Sequence, residues 1–186
     1  MLEQCAFGPS QLRGLVASVL VGLGLVTTSA QSVETTGKSF TTRFPIGLPI
    51  SVGLPSDFVN EPLSSGMRFV ASAPDATVTV ESEAFTAKSF ALLESAAKVD
   101  SRQTLLALDP KASLMFQTIN LEVGEVEQTV SHLTETTGGK KVPISLISFV
   151  FAHNGRSYNF TYYCSASQWS HYLPIFKQSA GSIRFS

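Results

Sequence analysis

The chain has 186 residues, of which 44% are hydrophobic and 15% charged, and it contains thirteen Phe. This composition excludes a disordered chain, because the apolar side chains can bury enough surface to offset the entropy lost on folding. Thirteen Lys and Arg against fourteen Asp and Glu give a net charge of −1, with Lys140-Lys141 as the only adjacent basic pair. The sequence therefore predicts no basic surface for nucleic acid.

Residues 1–30 have the pattern of a cleavable signal peptide. An apolar run over residues 15–26 follows Arg13, and the small residues Thr28 and Ala30 suit cleavage before Gln31. The run is shorter than the roughly 20 residues that a bilayer-spanning helix needs. We therefore predict a periplasmic or secreted protein with no stable membrane span after cleavage. The alternatives are an uncleaved membrane anchor and a buried N-terminal helix.

The next elements open the folded part of the chain. Residues 31–39 are polar and lack periodicity, which predicts a flexible leader before a single domain over residues 40–186. Two strands over residues 67–73 and 77–83 are predicted to form a hairpin. From residue 86, apolar side chains recur about every 3.6 residues, which predicts a helix that ends before Pro110.

Strands dominate the second half of the chain. Residues 114–123 and 125–137 are rich in Thr, Val and Ile and are predicted to pair. Residues 142–153 and 156–164 flank Asn154-Gly155, the sequence that favours a tight type I′ turn between two strands. Cys164 continues the alternation of this last strand and is predicted to be a core residue.

A terminal helix is predicted after the last of these strands. Trp169, Tyr172, Leu173 and Phe176 fall on one helix face. Ser165 and Gln168 are spaced for a capping box, and Pro174 is predicted to kink or restart the helix.

Three segments near the C-terminus carry a family resemblance. They are Gly155-Arg156-Ser157-Tyr158-Asn159-Phe160-Thr161-Tyr162, Tyr172-Leu173-Pro174-Ile175-Phe176 and Ser182-Ile183-Arg184-Phe185. With the order of predicted elements, they resemble the PsbP-like superfamily, whose fold PsbP, DcrB and LpqN-type proteins share. The resemblance implies an α+β fold, an antiparallel sheet with helices packed on both faces in an α/β/α sandwich. It also implies an accessory or binding role.

The residues that could carry chemistry form no recognisable motif. His132, His153 and His171 are isolated in sequence, so whether a metal is bound is left open and no cofactor is expected. No Gly-x-Ser-x-Gly elbow is present, and no catalytic residue is predicted. The pairs Glu81/Glu83 and Glu125/Glu127 could act as paired acids or cation ligands, but we interpret them as solvated strand edges. Trp169 and Tyr172 are the candidates for a small ligand groove between helix and sheet.

Together these features predict an exported, non-enzymatic accessory or binding protein that supports assembly or stress tolerance of an envelope component. Its expected partner is an envelope protein or a small ligand, and the protein is expected to be a monomer. The alternative is a metal- or small-ligand-binding protein, or an enzyme, with a site formed only in the tertiary structure.

Overall fold

A computed structural model describes residues 39–63, 66–85, 90–137 and 139–186. The predicted signal peptide, residues 1–30, lies outside these residues, as does all of the predicted leader except Ser39. Among the described residues, no helix is long and apolar enough to cross a membrane.

Three short strands form a small antiparallel sheet. They are β1 (Phe40–Arg43), β2 (Ile50–Pro55) and, from the end of the chain, β10 (Arg184–Phe185). β2 lies between the other two. The small sheet therefore joins the two ends of the predicted domain.

Seven strands form a second sheet, here called the large sheet. They are β3 (Val59–Asn60), β4 (Met67–Ala73), β5 (Ala76–Ala84), β6 (Ser113–Leu121), β7 (Gly124–Thr137), β8 (Lys140–His153) and β9 (Arg156–Ser165). Their order is β3-β4-β5-β9-β8-β7-β6, and all neighbours are antiparallel. The predicted pairs β4–β5, β6–β7 and β8–β9 are confirmed, with boundaries that differ from the predicted ones by at most two residues.

The Asn-Gly turn between β8 and β9 has the predicted geometry. Asn154 has φ 47° and Gly155 has φ 73°, the positive values that a type I′ turn requires. The turn fixes the register of β8 against β9, pairing His153 with Arg156.

Two helices are described, α1 (Phe90–Leu108) and α2 (Trp169–Gly181). α1 connects β5 to β6 and contacts β7 and β8, whereas α2 contacts β2, β8 and β9. α2 continues through Pro174, so the predicted restart is not needed. Pro174 has no backbone N–H, so the carbonyl of Ser170 loses its usual helical donor. Both residues are exposed, and the Ser170 carbonyl can bond to solvent instead.

The capping box predicted at the start of α2 is wrong. A short 3-10 turn, Ala166–Gln168, precedes the helix, and Ser165 makes no capping hydrogen bond. Its hydroxyl lies 3.2 Å from the hydroxyl of Ser167 instead.

The main core lies between β2, α2 and one face of the large sheet. Successive strand residues point to opposite faces, and this face, here called the core face, carries Val78, Phe149, Phe160 and Tyr162. Cys164 is also buried in this core, as predicted. Burial raises the pKa of its thiol to about 12, which makes it a poor nucleophile.

A hydrogen-bond network ties α2 to β2. Ser179 donates to the carbonyl of Gly53 at 2.7 Å, and the amide of Gly53 donates to Ser182 Oγ, also at 2.7 Å. The Tyr162 hydroxyl lies 3.0 Å from Ser179 Oγ. Every member thus has a partner, which makes this buried polar contact favourable.

The described residues therefore form a mostly antiparallel α+β fold with two helices.

Candidate functional site

Four hydroxyl residues lie side by side across the middle of the large sheet. Thr79 of β5 is opposite Thr161 of β9, which is opposite Ser148 of β8, which is opposite Thr129 of β7. All four are less than a tenth exposed. They occupy the face opposite the core face, and we call them the hydroxyl row.

Several buried hydroxyls on this face lack a hydrogen-bond partner within the described ranges. Thr79 Oγ1 and Thr129 Oγ1 have none among the described residues, nor has Ser131 Oγ, two residues along β7. Thr161 differs, because its hydroxyl donates to Asn159 Oδ1 at 3.2 Å. A buried polar group without a partner destabilises the fold by roughly 1–3 kcal/mol, so such groups call for an explanation.

A second row, with a carboxyl group at each end, lies beside the first. Its members are Glu81, Asn159, Val150 and Glu127, again on neighbouring strands. We call it the carboxyl row. Its two carboxyl groups stand three strand spacings apart, about 14 Å.

Glu127 is fully buried within the sheet face. Lys98 Nζ of α1 lies 3.6 Å from Glu127 Oε2, within ionic range but beyond hydrogen-bond distance, and by the same distance limit neither carboxyl oxygen of Glu127 has a partner among the described residues. Lys98 instead bonds to Glu94 at 2.6 Å, and Thr118 donates to the same Glu94 oxygen at 2.8 Å. Burial raises the pKa of Glu127 to about 7, although the charge of Lys98 opposes this shift.

Glu81 lies in a more acidic environment. Burial raises its pKa to about 7, and the nearby negative charges of Glu83 and Asp100 add to the effect. Burial also raises the pKa of Asp100, which belongs to α1. Both carboxyl groups of the carboxyl row can therefore exist as neutral acids near neutral pH, and a neutral acid can donate a hydrogen bond.

α1 packs on this face of the sheet through two buried leucines near its two ends. Leu93 and Leu105 are buried, and Leu105 packs against Leu133 and neighbouring apolar residues of the sheet. Ala97 and Ser101 fall between them at four-residue steps, on the same side of the helix. Lys98 and Asp100, also in this middle part, interact with Glu127 and Glu81, so the helix presents both small and charged groups toward the sheet.

The interpretation of the paired carboxylates as strand edges was wrong for both pairs, and the interpretation as solvated groups was wrong for Glu127, whereas Glu125 is exposed. β5 and β7 are interior strands of the large sheet, and the Glu127 side chain is completely shielded from solvent. The sequence did show Thr77, Thr79 and Glu81 alternating along a strand. It could not show that a helix covers this polar side, because the covering depends on contacts between distant segments.

The structure places the predicted ligand groove residues on the other side of the sheet. Tyr172 is 6% exposed and stacks on Phe176 with ring centroids 5.5 Å apart. Trp169 is half-buried at the margin of the main core, edge-on to His132 at 5.2 Å. Neither lies on the hydroxyl row, and a groove at these two residues stays a prediction.

The three histidines are also dispersed. His132 Nδ1 lies 2.7 Å from Ser145 Oγ on the core face, and His153 stacks on Phe185 at 3.6 Å. His171 is edge-on to Tyr172. Within the described ranges, no group of three or more His, Cys, Asp and Glu is arranged to hold a metal ion.

Comparisons with known proteins identify solved structures that have a similar fold. No protein-family model matches the sequence, and a search of curated proteins finds no match. The solution structure of CyanoP, the cyanobacterial PsbP of Synechocystis sp. PCC 6803, superposes with a TM-score of 0.62 at 13% identity, over 84% of this chain and 98% of that one. The Ran-binding protein Mog1p of Saccharomyces cerevisiae superposes with a TM-score of 0.56 at 11% identity, over 80% and 96%. The chain therefore has a PsbP-like fold, as its sequence resemblance predicted, and the likeness is one of structure.

Proposed function

We propose that the chain is an exported, non-enzymatic binding protein that holds a small polar ligand on the hydroxyl row beneath α1. The observation that carries the proposal is a set of buried hydroxyls, those of Thr79, Thr129 and Ser131, that have no hydrogen-bond partner among the residues described. A ligand that bonds to them would recover the free energy that these groups otherwise lose.

The lining groups indicate the chemistry of the ligand. Hydroxyls both donate and accept, and Glu81 and Glu127, with pKa values raised to about 7, can do either near neutral pH. The best match is a neutral molecule with several hydroxyl or amide groups. A strongly anionic ligand is disfavoured, because its charge would lie beside buried carboxyl groups.

The wider setting follows from the sequence and from the fold. The signal-peptide pattern of residues 1–30 supports a periplasmic or secreted location. Mog1p, which has a similar fold, is a Ran-binding protein, so this fold can serve binding; Ran itself is not inferred as a partner. We interpret α1 and α2 as the outer layers of an α/β/α sandwich, and the role as accessory, in assembly or stress tolerance of an envelope component.

The test is native mass spectrometry of the protein purified from its own host. We expect a stoichiometric small molecule on the wild type and its loss from the double variant Thr79→Val, Thr129→Val, which keeps side-chain shape and removes two hydroxyls. Thr41→Val, at an exposed site on β1, is the matched control and should keep the ligand. A wild-type protein without any bound molecule, but with a stable protein partner in envelope extract, would replace the small-ligand proposal with a protein-binding one.

A further inference from the structure

The outer edge of β6 is long, exposed and uncharged. β6 is the last strand of the large sheet, and its nine residues, Ser-Leu-Met-Phe-Gln-Thr-Ile-Asn-Leu, include no charge, no Gly and no Pro. No residue of the strand is fully buried, and Met115 is 64% exposed. Proteins usually protect such an edge with charges, prolines or bulges, because its free backbone groups can pair with another strand.

The opposite edge of the sheet is protected in the usual way. β3 has only two residues, and Glu61 and Pro62 follow directly. The contrast between the two edges points to β6 as the edge that is kept open for pairing.

The strand alternation identifies which backbone groups are free. Leu121 pairs with Gly124 across the two-residue turn to β7, so the amide and carbonyl groups of Leu121 and of every second residue before it point toward β7. Those of Leu114, Phe116, Thr118 and Asn120 point outward. Among the described residues, no backbone group outside β7 bonds to the strand.

We propose that two copies of the chain pair through β6 in an antiparallel, two-fold symmetric manner, centred on Gln117. This differs from the monomer expected from the sequence. With Gln117 on the two-fold axis, Leu114 of one copy lies opposite Asn120 of the other, and Phe116 lies opposite Thr118. Each pairing occurs twice by symmetry, which gives four residue pairs that can each exchange two backbone hydrogen bonds.

The side chains are compatible with this symmetry. Met115 of one copy lies opposite Ile119 of the other, apolar against apolar, and Gln117 lies opposite itself, where two amides can bond to each other. Beyond the strand end, Glu122 already pairs with Arg184 of its own chain at 2.6 Å, so the match between the copies depends on these side chains of β6. A second copy therefore matches the edge better than an arbitrary strand would, and the pairing joins two large sheets into one.

The test is the molecular mass of the purified full chain over a concentration series, by analytical ultracentrifugation. We expect a reversible dimer. Gln117→Lys and Gln117→Glu should each weaken dimerisation by at least about tenfold, because two like charges would then face each other across the two-fold axis. A one-to-one mixture of these two variants should restore the dimer as a heterodimer.

Gln178→Lys, at an exposed position of α2, is the control with the same charge change and should dimerise like the wild type. A wild-type chain that stays monomeric throughout the series would overturn the proposal. So would a dimer that both Gln117 variants leave intact, since that dimer must use another surface.

Discussion

Two buried Thr residues on the sheet face beneath α1 differ in their hydrogen bonding. Thr129 and Thr161 are both buried and both in the hydroxyl row, yet within the part of the chain that the structure describes only Thr161 of the two has a hydrogen-bond partner. Replacing each Thr by Val and measuring the free energy of unfolding therefore distinguishes a hydroxyl that stabilises the fold from one that is available to bond to another molecule.

We predict that Thr129→Val leaves the stability of the ligand-free, refolded protein unchanged or raises it by about 1 kcal/mol, because the unpartnered hydroxyl is replaced by a methyl group of similar size. Thr161→Val should lower stability by about 1 kcal/mol, since it breaks the bond to Asn159. Urea denaturation measures both. Equal destabilisation by the two variants would mean that Thr129 has a structural partner.

Glu127 gives the protein a pH dependence of predictable sign. Its folded pKa, about 7, lies above the ordinary value of 4.5, so the folded state holds a proton that the unfolded state releases. The contribution of the protonated Glu127 to the free energy of unfolding is greatest below about pH 4.5, and it is lost as the pH rises through about 7.

Glu127→Gln, which is neutral at every pH, should reduce this loss by on the order of 1–3 kcal/mol between about pH 5 and about pH 8. The matched control is Glu125→Gln, on the same strand but exposed. Denaturation at the two pH values measures the difference. An identical pH dependence in wild type and Glu127→Gln would show that Glu127 is ionised in the folded protein.

Among the elements, the contact of α2 with β2 depends on close approach of the backbones. A Cβ added to Gly53 would lie 2.9 Å from Ser182 Oγ, inside the network that joins the helix to the strand. The position therefore admits no side chain without movement of its neighbours.

Gly53→Ala should lower the free energy of unfolding by about 1–3 kcal/mol, by crowding Ser182. Gly181→Ala is the comparison, because a Cβ there meets nothing within 4 Å, and it should be neutral. Thermal unfolding distinguishes the two. Tolerance of Ala at both positions would mean that α2 can move away from β2 without loss.

Local signals predicted most of the elements. Asn154-Gly155 predicted the β8–β9 hairpin because the turn chemistry lies within two adjacent residues. The prediction of a capping box at Ser165 was wrong, because a 3-10 turn over Ala166–Gln168 lies between Ser165 and the start of α2. The polar face was not predicted, because Thr79 and Thr129 lie on strands that only the long crossover through α1 brings into one sheet.

At the scale of the whole molecule, that crossover explains how a polar face becomes buried. The chain leaves β5 inside the large sheet and returns as β6 at its edge, and α1 spans the distance across β7 and β8. The hydroxyl row therefore lies on the face that this helix covers, with Leu93 and Leu105 buried and Ala97, Ser101 and the charged Lys98 and Asp100 between them. Burying hydroxyls here without partners costs free energy that apolar side chains would not cost, and the proposed ligand would offset this cost.

The measurement that tests this account most directly is the unfolding temperature of host-purified protein before and after denaturing removal of small molecules and refolding. A bound ligand stabilises the folded state, so we expect the midpoint of the wild type to fall by about 5–10 °C after removal. The Thr79→Val, Thr129→Val variant should show the same midpoint before and after. A wild-type midpoint that refolding leaves unchanged would contradict the claim that the hydroxyl row holds a ligand.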